Sequence, residues 1–167
     1  MSIQTLRGPS LIAVLFLLVM SACGGGGDGT FVGSGVSEES LRAMWDAVQS
    51  NDLQEVQRLL QAEPGLLNAE RDDAGSTPLS YALVYQDDDL AIAEYLLTQG
   101  ADPNVANKNG WTLLHGAVYN HHLPQVELLL EYGADPSLKT PDGETALDLA
   151  RRYGGREPIE EALQRPR

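Results

Sequence analysis

The chain has 167 residues, 24 of them acidic and 11 basic, for a formal charge of −13. Hydrophobic residues make up 43%, enough to build a packed core. The acidic excess argues against nucleic acid as a partner, because phosphate contacts depend on clustered Lys and Arg, and favours a basic protein partner by charge attraction.

Met1–Ser10 carries one positive charge, Arg7, and Leu11–Met20, "LIAVLFLLVM", is an unbroken apolar stretch. As a helix it is too short to cross about 30 Å of hydrocarbon. It suits the apolar centre of a secretory signal peptide over residues 1–22, with Ser21 and Ala22 as the small residues before a cleavage point. Met20-Ser21-Ala22-Cys23 resembles the lipobox of bacterial lipoproteins, with Met20 in the place usually held by Leu. The resemblance implies a diacylglyceryl group on the Cys23 thiol, an acylated new N-terminus, and a protein anchored in the bacterial cell envelope, facing the periplasm. Gly24 stands where an Asp would imply retention at the inner membrane, so the outer membrane is favoured. Several acyl chains anchor stably where one is marginal. Cys23 has no second cysteine with which to form an intramolecular disulfide.

Residues 24–36, "GGGGDGTFVGSGV", hold seven glycines in thirteen positions. Such a segment cannot bury enough surface to offset its ordering entropy. With Cys23 it reads as a tether, 23–36, reaching roughly 20 Å root-mean-square as a flexible coil.

From Ser37 the sequence repeats. "GSTPLSYA", "GWTLLHGA" and "GETALDLA" begin at Gly75, Gly110 and Gly143, spaced 35 and 33 apart, and "YLLTQGADPN" and "LLLEYGADPS" place Gly100 and Gly133 at a spacing of 33. Thr77, Thr112 and Thr145 are each expected to cap a short helix through the side-chain oxygen, with Pro78 at a first helical position where its missing N–H costs nothing. A second helix is expected over about Leu123–Tyr132, with Val126, Leu129 and Leu130 as its apolar stripe. Gly100 and Gly133 then stop such helices in the left-handed conformation. Asp52 and Glu55 frame the start of another. The two extra residues of the second repeat are placed between its helices, around "QDDDL".

These motifs strongly resemble ankyrin repeats. The resemblance implies an all-α solenoid of about four helix-turn-helix repeats with hairpin-like loops, over domain 37–167, with repeats at about 37–71, 72–106, 107–139 and 140–167. The first and last repeats depart from the pattern, as terminal caps do.

The sequence contains no phosphate-binding glycine loop and no nucleophile elbow, so a non-catalytic binding protein is expected, monomeric and with no cofactor. By the resemblance, partners are read on a concave face at the hairpin tips: Asp73, Ala74 and Ser76; Lys108, Asn109 and Trp111; Asp142 and Glu144. The ends of the first helices add Val84 and Tyr85, Tyr119 and Asn120, Arg152 and Tyr153. Trp111 is expected to face out, and Tyr85, Tyr119 and Tyr153, 34 residues apart, either to line one groove or to pack between neighbouring repeats with their hydroxyls in water. Trp and Tyr are favoured interface anchors. Two roles fit exported proteins of this kind: a scaffold that protects envelope enzymes, or an immunity protein that neutralises a toxin. The alternative is a metal- or small-ligand-binding envelope lipoprotein using His115, His121 and His122. Under the resemblance His115 is instead a structural hydrogen-bonding residue and His122 belongs to the turn between helices. Asp87, Asp88 and Asp89 lack the spaced ligands of a calcium loop.

Overall fold

The computed structural model describes residues 36–71, 75–85, 89–153 and 157–165. The signal segment, Cys23 and the glycine tether lie outside these residues, as do Asp73, Ala74, Asp87 and Asp88. Among the described residues no helix is long and apolar enough to cross a membrane.

Among the described residues eight α-helices form four antiparallel pairs: α1 (Glu38–Gln49) with α2 (Leu53–Ala62), α3 (Pro78–Tyr85) with α4 (Ala91–Thr98), α5 (Leu113–Tyr119) with α6 (Leu123–Glu131), and α7 (Ala146–Tyr153) with α8 (Glu157–Gln164). A 3-10 helix, Pro64–Asn68, packs on α2 in place of the Gly-Ala-Asp turn of later repeats. Among the described residues the only β contacts named are two isolated antiparallel bridges at hairpin tips, Ala106 with Thr112 and Lys139 with Thr145. The fold is an all-α repeat solenoid, as expected.

The inner helices α3, α5 and α7 open on the same device. Thr77, Thr112 and Thr145 accept on Oγ1 from the backbone N–H of Ser80, His115 and Asp148, at 3.2, 3.4 and 3.2 Å. The partner side chain returns the bond: the N–H of each threonine donates to Ser80 Oγ (2.9 Å), His115 Nδ1 (3.2 Å) and Asp148 Oδ2 (3.0 Å). Donors that a helix start would otherwise orphan are thereby satisfied. In repeat one Ser37 caps α1 and Asp52 caps α2, as its spacing to Glu55 predicts.

The helices are too short to be stable alone; stacking holds them. Ala82, Ala117 and Ala150 are buried in the stack. Met44, Val56, Leu79, Ile92, Leu96, Leu114, Leu129 and Leu149 are among the side chains fully withdrawn from water, each contributing roughly 1.5–3 kcal/mol by burial. Gly100 and Gly133 have φ of +92° and +88°, the expected left-handed stops of α4 and α6. Helix α3 ends at Tyr85 and α4 begins at Ala91, whereas α5 and α6 are separated only by residues 120–122, so the two extra residues do fall between the helices.

Asn51 and His121 hold equivalent left-handed positions between helices, with φ of +57° and +63°. Replacing His121 by Gly removes this strain at the expense of a more flexible unfolded chain. A gain of about 0.5–1 kcal/mol is expected, read from the urea midpoint; no gain would mean that a contact of the imidazole offsets the strain.

Candidate protein-interaction surface

The exposed aromatic side chains gather on the C-terminal ends of the inner helices. Tyr85, Tyr119 and Tyr153 are 57%, 49% and 48% exposed, and Val84 beside them is 64% exposed. Large apolar groups left half in water on successive repeats make an unusual patch on a chain with this much charge. The Tyr119 and Tyr153 rings meet edge to face at 5.4 Å, and Trp111 meets Tyr119 at 5.7 Å. Tyr85 lies on Tyr81 at 4.1 Å, and Tyr81 on Trp45 at 5.4 Å. Two aromatic groups result, one in repeats one and two, the other in repeats three and four.

Trp111 differs from its expected outward placement. It is half-buried, packed against the core and edge-on to the buried His115 ring at 6.1 Å. The cause is local. The Asn107 side chain accepts from the N–H of Asn109 and of Trp111, both at 3.0 Å, and the Asn107 N–H donates to the Trp111 carbonyl at 2.8 Å. The tip is drawn into a tight hairpin that lays the indole back along α5.

The remaining tip residues are spread along the array. Ser76 is half-buried, Lys108, Asn109, Asn120 and Asp142 are exposed, and Glu144 is half-buried. Glu144 holds Arg152 at 2.7 Å, so two candidate contact residues pair with each other. Arg71, which the spacing did not single out, lies over the rings of Trp45 (5.8 Å) and Tyr81 (5.5 Å). A flat guanidinium stacked on aromatic faces is the arrangement expected of cation–π attraction. Gln125 was missed as well. It is 3% exposed, and its Nε2 donates to the Leu83 carbonyl at 2.8 Å, joining repeat three to the end of α3. No local motif announces either residue, because Arg71 meets rings on two helices, one of them in the next repeat, and Gln125 meets a carbonyl of the repeat before.

The three histidines do not assemble. His115 is 1% exposed, with Nδ1 held by the Thr112 N–H and hydroxyl. Among the described residues no group meets its Nε2 in full hydrogen-bond geometry. Burial pushes its pKa below the ordinary imidazole value, against an opposite pull from the backbone of Leu138 and Glu144. His121 is exposed and His122 half-buried on the turn before α6. Among the described residues no three His, Cys, Asp or Glu side chains converge as a metal site requires. Asp89 is committed elsewhere: it accepts from Asn51 Nδ2 at 2.8 Å and from the Ala91 N–H at 3.0 Å, at the start of α4.

Known proteins carry the same pattern. A family model of ankyrin repeats in three copies matches residues 14–107 and 83–164. An ankyrin repeat protein of Rickettsia bellii is 36% identical over 114 residues, which are 68% of this chain and 62% of that protein. The chain therefore spans less than two thirds of that relative's length. The Notch-regulated ankyrin repeat-containing proteins of Homo sapiens and Mus musculus are each 31% identical over 87 residues, 50% of this chain and 74% of theirs.

Proposed function

The chain belongs to the ankyrin-repeat family, whose arrays are protein-interaction scaffolds, and from that premise we propose that it is a non-catalytic lipoprotein of the bacterial envelope that binds another protein through the face bearing Tyr85, Trp111, Tyr119 and Tyr153. One observation carries the proposal. Aromatic rings stand half-exposed at the same place on three successive inner helices, a cost in solubility that burial against a partner would recover. The charge of −13 favours a basic partner and speeds its encounter.

The anchor rests on the order apolar run, small residues, Cys23, glycine tether. It places the array within about 20 Å of a membrane surface. In that setting the array serves as a monomeric scaffold for an envelope protein or as an immunity protein against an incoming basic toxin. Cys23→Ala should leave an unacylated precursor that no longer fractionates with membranes; unchanged fractionation would remove the anchor. The binding face is tested by affinity purification from solubilised envelopes. The native chain should retain one stoichiometric protein that Trp111→Ala/Tyr119→Ala loses. Equal recovery by both would move the site off these aromatics.

A further inference from the structure

The junction between repeats two and three is built differently from its neighbours. Helix α1 packs closely on α3, and α5 on α7, but α3 and α5 make few close approaches, as do α4 and α6. The reason lies at one position, four residues after each capping threonine, which holds Tyr81, Gly116 and Leu149 in repeats two, three and four. Tyr81 fills its place by packing on Trp45 at 5.4 Å. Leu149 fills its place completely and is buried. Gly116 fills nothing: a Cβ built on it meets no atom within 4 Å.

The vacancy is real space. A groove of about 280 Å³ lies between the two helices, with Leu83 and Val84 on the α3 side and Trp111, Gly116, Ala117 and Asn120 on the other. Among the described residues none that lines it is charged, and its apolar walls alternate with polar side chains such as Ser80, Asn107 and Asn120. One N–H of the Gln125 amide, also in its lining, donates to the Leu83 carbonyl. Apolar side chains of the lining, such as Leu83, Val84 and Trp111, forgo dispersion contacts across the groove that an occupant would restore.

We infer that this groove is a socket for one bulky, uncharged, apolar side chain carried on the partner protein. The fold shows which groups suit the register, since Tyr81 and Leu149 occupy it in the flanking repeats. A cationic side chain would lose its hydration among walls whose described residues carry no charge. The socket adjoins Trp111 and so lies within the proposed interaction face; the inference rests on that reading and gives it a central anchor of the kind that dominates protein interfaces.

The test uses random peptides displayed against the full chain. Selected peptides are then measured by calorimetry against the native protein, Gly116→Ala, Gly116→Leu and Trp111→Ala/Tyr119→Ala. The selected peptides should share one large apolar residue whose replacement by Ala weakens binding about tenfold or more. Gly116→Leu should weaken binding by a similar factor, because leucine occupies the socket itself, whereas Gly116→Ala adds only a methyl and should bind normally. Both variants should fold, since the Cβ has room and either residue suits a helix better than glycine. Normal binding by Gly116→Leu with loss in the aromatic double variant would overturn the socket and leave the interaction face standing. Normal binding by both would overturn both. Peptides without a common apolar residue would overturn the socket.

Discussion

Gly110→Ala should lower the unfolding free energy by about 2–4 kcal/mol, the sum of backbone strain and overpacking. Gly110 holds φ at +74°, in the left-handed region that side-chain-bearing residues avoid. A Cβ there would also lie 2.8 Å from Cγ and 3.1 Å from Cδ of Pro141, the proline of the next hairpin. Gly143 is the control. Its φ is +80°, but its Cβ would meet nothing within 4 Å, so Gly143→Ala should cost only about 1 kcal/mol. Urea denaturation of both variants separates the two contributions. Equal costs would mean that the tips of repeats three and four do not interlock. Gly110→Ala/Pro141→Ala should recover the packing share and leave the strain.

His115→Ala should be comparably damaging, at about 2–4 kcal/mol. It strips a buried N–H, that of Thr112, of its acceptor and leaves a cavity under Trp111. The imidazole also imposes a pH dependence whose sign is fixed. Burial lowers its pKa in the folded protein below the ordinary value of 6.5. Below that pH the unfolded chain takes up a proton that the folded chain resists, so stability is full above 6.5 and is lost as the pH falls through the lower, folded value. The urea midpoint should fall between pH 7.5 and pH 5.5. His115→Gln retains an acceptor but does not titrate, so its midpoint should be flatter over that interval; an unchanged slope would assign the effect to other groups. The carboxyls of Asp89, Asp135 and Asp148 are held below the usual 3.8 by hydrogen bonds, chiefly from Asn51, Ser137 and Thr145. Their losses belong to a more acidic interval.

Short-range features were legible in the sequence. A threonine cap needs only the residue three positions on, and a left-handed helix stop needs only a glycine, so Thr77, Thr112, Thr145, Gly100 and Gly133 stand where their spacing places them. The regular recurrence of Tyr85, Tyr119 and Tyr153 put them on equivalent helix ends, where they are half-exposed. What escaped is written across repeats. Arg71 depends on rings carried by two different helices and Gln125 on a carbonyl 42 residues earlier, whereas the half-burial of Trp111 is the exception, set by Asn107 within its own tip. Gly116 is the plainest case. In the sequence it is one more glycine in a helix, and only the stacking of α3 against α5 turns a missing side chain into a space.

The threonine boxes of the three inner helices share a geometry but differ in chemistry: a hydroxyl from Ser80, an imidazole from His115, a carboxylate from Asp148. Only the last two take up protons, and they do so in different intervals. Acid therefore does not act on the array uniformly. Its first challenge falls on the third repeat, its second on the fourth, and the second repeat has no such vulnerability at its box. The order in which the boxes meet acid is written into the residue that answers each threonine.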